Sequence, residues 1–287
     1  MHKTAIIPRS LLAASLAVSM LHPAAAMADG GLHTSEAGGT LTDSFMGSAH
    51  KQGWDVSVGG GLAYLPTFEG SDRYTTTLVP FVHVAWNDWI SIGTNGLSAY
   101  WRHDRLRYGA ALTYGGGRKD TKGNGVSEMG DDRLRGLGII KPALGIKAFA
   151  TYDAGPVMLS GALTKFTGNQ NDGVLMNLGA SKRFKLNERW SLTPHAGATW
   201  ANQSYTQTFY GVTPTQAANS TFAAYSGAGS GFKDVSAGIN ATYQIDNHHW
   251  FVSTSLVAKR LVGDAAKSPI SISDSQTTLM MIFGYRF

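Results

Sequence analysis

The side chains of this sequence best suited to catalysis are two histidines and a group of acidic residues. Hydrolysis would need a histidine beside a serine or beside paired carboxylates, so that a proton can move within hydrogen-bonding reach. The candidate histidines are His83 and His195, and the candidate acids are Glu69, Asp72, Asp131, Asp132, Asp264 and Asp274. No spacing along the chain links either histidine to a serine or an acid. The sequence therefore favours lining histidines over catalytic ones, and we expect a protein that is not an enzyme.

Motifs for metals, cofactors and covalent catalysis are missing from the sequence. It contains no H-E-x-x-H, G-x-S-x-G or G-x-x-x-x-G-K motif, and it has no cysteine. The adjacent residues His248 and His249 would point to opposite sides of a strand, which disfavours a shared metal. The run Gly59 to Gly61 lies within a strand pattern, where glycine gives close packing rather than phosphate binding. We expect neither a metal nor a cofactor.

Basic residues are the third group with possible chemistry, because the strand pattern described below places them on the inner face of a sheet. They are Arg102, Arg107, Lys141, Lys147, Arg183, Lys259 and Arg286, against the acidic residues Asp55 and Asp234. Such an excess of positive charge would favour anions in a water-filled pore. We favour the alternative that these side chains pair with acids of loops folded inward, because small residues line a narrow interior and leave room for a plug.

The elements that must position these residues are β-strands, because apolar residues recur at every second position from residue 54 onward. In the first segment Trp54, Val56, Val58, Leu62 and Tyr64 share one face, opposite small and polar residues. Apolar residues on one face and small or polar residues on the other are typical of strands between lipid and a lumen. The pattern predicts twelve strands, at residues 54–64, 78–86, 89–94, 97–102, 106–115, 139–152, 157–166, 174–183, 190–201, 232–243, 250–262 and 277–287.

The lengths of the connections support this count. Outer-membrane barrels have an even number of strands, with both termini and short turns in the periplasm and long loops outside. With twelve strands, every long connection falls on the side away from the termini, and tryptophans cluster near the periplasmic ends. A soluble β-sandwich with an aromatic core would require neither feature. The sequence thus predicts an all-β fold, a transmembrane antiparallel barrel of twelve strands, with ten strands as the alternative.

Residues 1–28 have the features of a cleaved signal peptide. Lys3 and Arg9 form a basic start, residues 10–21 are apolar, and small residues follow; we place the cleavage after Ala28, with Ala26 as the alternative. The apolar stretch is too short to cross a bilayer about 30 Å thick. Residues 29–53 are polar and glycine-rich and are predicted to be a flexible leader, followed by the barrel at residues 54–287. Export predicts a location in the bacterial outer membrane.

Composition and charge exclude several classes of protein. The sequence has 35 glycines, 10% aromatic residues and only 15% charged residues, which favours many short strands over a soluble enzyme. Removal of the signal peptide leaves 22 basic and 19 acidic residues, a net charge of about +3, so nucleic acid is not an implied partner. No later stretch has the roughly eighteen uninterrupted apolar residues of a spanning helix, so the apolar faces of the strands must be buried in a soluble core or face lipid as a barrel.

Four short stretches carry a more specific signal. The first contains Tyr64, Pro66, Glu69, Gly70, Ser71, Asp72 and Pro80; the second contains Gly211, Val212, Thr213, Gln216, Ala217 and Ser220; the third contains Arg260, Leu261, Gly263, Asp264, Ala265, Ser268 and Pro269; the ending contains Tyr285 and Phe287. In order and spacing they resemble the motifs of the MipA/OmpV family of outer-membrane proteins. The charged segment at residues 116–136 departs from the family pattern.

The resemblance implies an outer-membrane barrel that acts without catalysis. The best-described family role is a scaffold that joins a lytic murein transglycosylase to a bifunctional penicillin-binding protein. Other members are described as adhesins or as involved in antibiotic entry. The terminal Phe287, in a Y-x-F pattern, resembles the signal read by the outer-membrane assembly machinery. The E-G-S-D, G-V-T and G-D-A-x-x-S-P segments fall on the predicted outer side or in a plug, whereas a murein enzyme must dock from the periplasm. Surface binding, stabilisation of the barrel by these loops and an anion-selective pore therefore remain alternatives to the scaffold.

Overall fold

The computed structural model describes residues 53–87, 89–93, 96–122, 130–168, 172–246 and 249–287. The predicted signal peptide at residues 1–28 and all of the predicted leader except Gly53 lie outside the described residues. One antiparallel sheet dominates the described part of the chain and closes on itself, because the last strand pairs with the first. No helix of this part is long and apolar enough to cross a membrane.

The sheet is a barrel of twelve strands, as the sequence predicts. They are β1 (Trp54–Pro66), β2 (Tyr74–Trp86), β3 (Ile90–Gly93), β4 (Gly96–His103), β5 (Leu106–Gly115), β6 (Ala143–Asp153), β7 (Met158–Thr167), β8 (Val174–Ser181 with Phe184–Lys185), β9 (Trp190–Ala201), β10 (Gly231–Asp246), β11 (Trp250–Leu261) and β12 (Ser275–Arg286). The two parts of β8 both pair with β9, so they form one strand that is interrupted at Lys182 and Arg183.

Side chains alternate between the outside and the lumen of the barrel along each strand. In β1, Trp54, Leu62 and Tyr64 are exposed on the outside, while Ser57 and Ala63 are buried inside. Because strands in a membrane barrel contact hydrocarbon on one face, this exposed apolar belt indicates a lipid environment. The prediction of a lipid-facing row is therefore confirmed.

Aromatic side chains form clusters at the end of the barrel that carries both termini. The ring centroids of Trp54 and Trp86 are 6.3 Å apart, and those of Trp250 and Tyr285 are 4.8 Å apart. Trp and Tyr prefer the interface between lipid and water, so this end has one of the two aromatic girdles of a membrane barrel. We call it the periplasmic end, and we call the opposite end the outer end.

Strand boundaries differ from the predicted ones where loops enter the sheet. β2 begins at Tyr74, because its first residues continue the ladder with β1 up to the pair of Tyr74 with Pro66. β6 begins only at Ala143, so Lys141, predicted to face the lumen, lies ahead of the strand and is exposed. Pro142 has no backbone N–H to give to the ladder, which explains this late start.

Short helices in the outer loops were not predicted. They are a single 3₁₀ turn (Asp132–Leu134), α1 (Gln203–Tyr210), α2 (Pro214–Asn219) and α3 (Gly263–Lys267). α1 is capped by Asn202, whose side chain accepts a hydrogen bond from the N–H of Tyr205. α2 starts with a capping box formed by Thr213 and Gln216. These caps are local, but the helices are too short to be stable without the packing described next.

Candidate functional site: a loop cap over the outer end

The residues of the three motif stretches come together at the outer end of the barrel. Four outer loops meet there: the first (residues 67–73), the third (residues 116–142), the fifth (residues 202–230) and the sixth (residues 262–274). Their shared apolar core contains Phe68, Leu134, Leu137, Val212 and Ile270, all buried. Since every one of these loops contributes to a single core, they form one layer, which we call the cap.

Arg133 fastens the third loop to the first by ionic contacts. Its guanidinium lies 2.5 Å from a carboxylate oxygen of Asp72 and 3.2 Å from one of Asp131, and it donates a hydrogen bond of 3.0 Å to the hydroxyl of Ser71. The hydroxyl of Thr67 donates to Asp131 at 2.9 Å. Two motif residues of the first loop, Ser71 and Asp72, therefore bind a charged side chain that the sequence does not place near them.

Both carboxylates of this anchor are held in their charged form. Burial alone would raise the pKa of Asp131, but hydrogen bonds from Arg133 and Thr67 outweigh it and lower the pKa below its usual value. The hydrogen bond from Arg133 likewise lowers the pKa of Asp72. The anchor is thus intact at neutral pH and loses its charge pairing only in strong acid.

A buried cluster of four charges lies beneath the cap, at the outer ends of β10 and β11. The ammonium of Lys233 is 2.7 Å from Glu69 of the first loop and also pairs with Asp234, while Lys259 is 3.4 Å from Glu69 and 4.0 Å from Asp234. The side chains of Lys233 and Asp234 are at most 2% exposed, and Glu69 is 10% exposed. The two positive and two negative charges balance, as a buried ionic cluster requires. Glu69 therefore ties the cap to the barrel wall.

Helix α1 fills the lumen beside this cluster. Its residues Tyr205, Phe209 and Tyr210 are buried with Phe166 and Leu261 of the barrel wall. The Tyr210 hydroxyl makes no hydrogen bond of good geometry with the described residues, and burial together with the charge of Glu69 raises its pKa well above the usual value. This apolar packing seats α1 inside the outer end of the barrel, just below the cap.

Arg118 of the third loop is buried against the same helix. Its guanidinium donates a hydrogen bond of 2.5 Å to the carbonyl oxygen of Phe209, at the end of α1. Burial lowers the pKa of Arg118 to about 10, so the side chain stays charged at neutral pH. Positive charge near the carboxyl end of a helix complements the helix dipole, which helps to fix α1 inside the barrel.

The second motif stretch builds the junction between α1 and α2. A side chain at Gly211 would place its Cβ 2.4 Å from the backbone carbonyl oxygen of Gln207, so any larger residue would force the backbone to shift. Val212 is fully buried in the core of the cap, and Thr213 starts α2. Gln216 completes the capping box and donates a hydrogen bond of 2.6 Å to the carbonyl of Leu137 in the third loop.

The third motif stretch locks the sixth loop to the fifth. Gly263 has a positive φ of 58°, and Asp264 accepts a hydrogen bond of 3.0 Å from the N–H of Gly229. The hydroxyl of Ser268 donates to the carbonyl of Tyr210 at 2.6 Å. Both hydrogen bonds join groups within the cap, and they connect the sixth loop to the fifth.

The other motif residues are placed as follows. Within the cap, Ala217 packs against the apolar core, Gly70 contacts Ser271, Pro269 is half-buried, and the Ser220 hydroxyl accepts a hydrogen bond from the N–H of Phe222. Near the wall, Arg260 pairs with Asp274, and Leu261 and Ala265 are buried with α1. Pro66 ends β1, and Tyr64 stacks on Tyr74 outside the barrel. Pro80 lies within β2. Most of these contacts hold loops to one another or to the wall.

Five of the seven basic residues expected in the lumen lie on the inner face of paired strands. Arg107 lies over the ring of Tyr100, Lys147 is half-buried on β6, Lys259 joins the charge cluster, and Arg286 is 3.8 Å from Asp55. Arg102 pairs with Arg107 on this face and is exposed. The other two lie outside the paired residues: Arg183 is at the interruption of β8, and Lys141 precedes β6. The contact of Lys259 with Glu69 has the form expected for pairing with an inward loop acid.

The structure does not assemble the candidate catalytic residues into one site. His83 is buried on β2 directly opposite Ser57, but the Ser57 hydroxyl makes no hydrogen bond with the described residues. His195 lies on β9, and its ring contacts the carbonyl of Thr193 at 3.4 Å. His249 stacks on Tyr285 at the periplasmic end, whereas His248 lies outside the described residues. No group of three or more potential metal ligands occurs among the residues that the structure describes.

Sequence reasoning missed the residues that connect the cap to the barrel. Lys233, Arg118 and Arg133 each lie far along the chain from their partners. The only local signal was the adjacent pair Lys233 and Asp234, two opposite charges at the start of an apolar strand. Burial of such a pair in a sheet predicts an ionic partner nearby, although it does not identify Glu69.

In a comparison with family models, residues 58–287 match the model described as MltA-interacting protein MipA. The chain belongs to the MipA family. The match covers all three motif stretches of the cap, and the expected family is therefore confirmed. Family and barrel together support an outer-membrane protein. A comparison with curated proteins gave no match.

Several solved structures are similar to this MipA-family chain. A bacterial polysaccharide outer membrane secretin is 11% identical, with a TM-score of 0.40 over 84% of this chain and 100% of that chain. An outer membrane channel from Pseudomonas putida F1 is 12% identical, with a TM-score of 0.36 over 83% and 97%. In-vitro folded OmpT of Vibrio cholerae is 7% identical, with a TM-score of 0.34 over 82% and 96%. These likenesses are too weak to carry an argument about function.

Proposed function

We propose that this protein is a non-enzymatic scaffold of the outer membrane that binds murein enzymes at its periplasmic end. The observation that carries the proposal is membership of the MipA family, whose name refers to interaction with MltA, a murein transglycosylase. The proposed partners are a lytic murein transglycosylase and a bifunctional penicillin-binding protein. The geometry of the cap supports this proposal, because the motif residues are engaged with one another and leave the periplasmic end for docking.

The same geometry disfavours the alternative of an anion-selective pore. Conduction needs a continuous aqueous path, but helix α1, the charge cluster around Glu69 and the apolar core of the cap occupy the outer part of the lumen. In planar bilayers we expect no steady conductance. A conductance that falls when Arg107 and Lys147 are neutralised would favour the pore over the scaffold. The role of an adhesin is also disfavoured, because a ligand that binds the cell surface would contact few of the motif residues.

The periplasmic surface that fits a protein partner best is the hairpin between β8 and β9. Lys185 and Arg189 are exposed there, and no carboxylate of the described residues lies within ion-pair distance of either one. The turn is fixed by Asn187, whose side chain accepts hydrogen bonds from the N–H groups of Arg189 and Trp190. Because the turn is already ordered, the hairpin loses little conformational entropy when a partner binds. Its basic side chains suit an acidic surface patch on that partner.

The experiment is affinity capture of murein enzymes from solubilised envelopes. We expect a lytic transglycosylase and a penicillin-binding protein to be enriched with the native protein and reduced at least tenfold with the Lys185→Glu/Arg189→Glu variant. The matched control is Arg135→Glu/Lys267→Glu, which reverses two exposed charges on the cap at the other end of the barrel. Absence of any enriched murein enzyme, or equal loss in both variants, would contradict the proposal.

A further inference from the structure

Among the described residues, the outer part of β2 lacks a neighbouring strand on one side. The hairpin of β3 and β4 ends at the pair of Gly93 with Gly96, and β3 pairs with β2 only along His83–Trp86. The outer nine residues of β2, Tyr74–Val82, therefore have a strand only on the β1 side among the described residues. On the far side of the hairpin, β5 likewise continues past its pairing with β4, along Thr113–Gly115. We call the region between these two strands, above the hairpin, the wall gap.

Backbone groups of β2 point into the wall gap. The N–H of Asn87 binds the carbonyl of Gly53 and the N–H of Thr67 binds that of Arg73, so odd-numbered residues make the hydrogen bonds between β1 and β2. In an antiparallel ladder the alternate residues direct their N–H and C=O groups to the other flank. The backbone groups of Thr76 and Leu78 thus face the wall gap, and no hydrogen bond from the described residues reaches them.

Pro80 shows that this flank is not built to receive another strand. It is one of the even-numbered residues, so the N–H that proline lacks would have pointed into the wall gap. Proline in a strand is tolerated where no ladder partner is present, and it blocks the addition of one. Since unpaired backbone groups are costly in hydrocarbon, a polar group other than a strand must meet the edge near Leu78.

The two sides of the wall that meet at the gap are both apolar. On the outside, Leu78 of β2 and Leu112 of β5 are each 53% exposed. On the inside, Phe81 is buried in a cluster with Leu65 and Phe251, and Val79 packs at the edge of that cluster while staying only partly buried. An inward side chain in a complete wall would be shielded from lipid, but Val79 lies at the open edge.

We propose that a membrane lipid occupies the wall gap, with an acyl chain against Val79 and its ester or amide linkage hydrogen-bonded to the backbone of Thr76 and Leu78. The depth fits this occupant. Tyr64 and Tyr74 stack with their rings 5.0 Å apart on the outside of the same edge, and tyrosines of this kind mark the level of the headgroups. The linkage region of a lipid in the outer leaflet lies just below that level, beside Thr76. The inference does not depend on the proposed scaffold role.

The test places a photoreactive side chain at Val79 and asks whether it reacts with lipid. The variant Val79→p-benzoylphenylalanine is irradiated in outer-membrane vesicles, and adducts are identified by mass spectrometry. The matched control is the same substitution at Phe149, which also faces the lumen and is only partly buried but lies on β6, paired on both sides. Leu163, exposed on the outside of β7, is the positive control. We expect lipid adducts at Val79 and Leu163, and at least tenfold fewer at Phe149.

A second measurement guards against disturbance by the bulky probe. The sequence contains no cysteine, so Val79→Cys and Phe149→Cys each introduce a single thiol. We expect a lipid-anchored maleimide to label the Val79→Cys variant at least tenfold faster than the Phe149→Cys variant. Adducts from Val79 only to the protein itself, or labelling by the anchored reagent at equal rates in both variants, would overturn the proposal.

Discussion

The Glu69→Gln substitution should loosen the cap more than the removal of the half-exposed charge of Asp72 in the same loop. Glu69 contributes one of two negative charges to a cluster whose other members are Lys233, Asp234 and Lys259. Glutamine keeps the shape but leaves two ammonium groups beside one carboxylate, and Lys233 is only 2% exposed. Removing one partner of a buried ion pair costs about 3–5 kcal/mol, because the remaining charge stays buried without compensation.

We expect this cost to fall on the opening of the cap, since Glu69 is the member of the cluster that belongs to a loop. An opening free energy lowered by about 3 kcal/mol corresponds to roughly a hundredfold faster exchange. The assay is amide hydrogen exchange in detergent micelles, read on peptides covering residues 203–220 in the cap. Peptides from the paired strands β6 and β7 serve as the internal reference and should not change.

Two further variants decide whether the buried charge is the cause. Asp72→Asn removes a negative charge from the same loop. Because the Asp72 side chain is half-exposed in its ion pair with Arg133, the rate of amide exchange in the cap should change less than about fivefold. The double variant Glu69→Gln/Lys233→Met leaves Lys259 opposite Asp234, a balanced pair, and should recover most of the lost protection. If Asp72→Asn equals Glu69→Gln, or if the double variant is no better than the single one, the argument from buried charge is wrong.

The remaining predictions concern acid, glycine and the terminal residue. Because the pKa of Asp131 is lowered in the folded cap, the stability that Asp131 gives to the cap is complete above the usual pKa of 3.8 and is lost as the pH falls below that value. Protease cleavage of the third loop should therefore accelerate only below about pH 4. Acceleration near pH 6 would contradict this. Gly96→Ala should reduce the yield of folded barrel in refolding assays far more than Gly155→Ala. Both glycines have positive φ values, of 100° and 89°. The two differ because only a Cβ at Gly96 would collide with a backbone atom, at 1.9 Å. Phe287 is 65% exposed, so its deletion should leave the thermal stability of the refolded barrel nearly unchanged. The same deletion should reduce insertion of the protein into the membrane of cells at least tenfold. Equal loss in both measurements would indicate that Phe287 has a structural role instead.

Much of the fold could be predicted because its main signal is local. The alternation of apolar and small or polar residues along a strand indicates which side chains contact lipid. Each strand shows this pattern in its own residues, as residues 54–64 do in β1. Connection lengths then favoured twelve strands over the alternative of ten. Errors fell at strand ends, as at Pro142 before β6, where a loop rather than the alternation decides the boundary.

The candidate site could be predicted only in part. The motif stretches identified which loops matter, and the capping signal of Thr213 and Gln216 was present in the sequence. Their joint role was hidden, because Val212, Phe68 and Ile270 are far apart along the chain and become neighbours only when the barrel brings the loops to one end. The partner of Glu69 was hidden for the same reason.

The sequence by itself determined that the chain forms a membrane barrel, since lipid on one side of each strand imposes a two-residue period that needs no long-range contact. The tertiary structure alone decided what packs inside the outer end of the barrel and where, among the described residues, its wall lacks a strand. The pairing of Glu69 with Lys233 depends on a loop and a strand 164 residues apart, and the wall gap beside Tyr74–Val82 depends on how short β3 is when it lies against β2. Both are properties of neighbours in space, which no local pattern records.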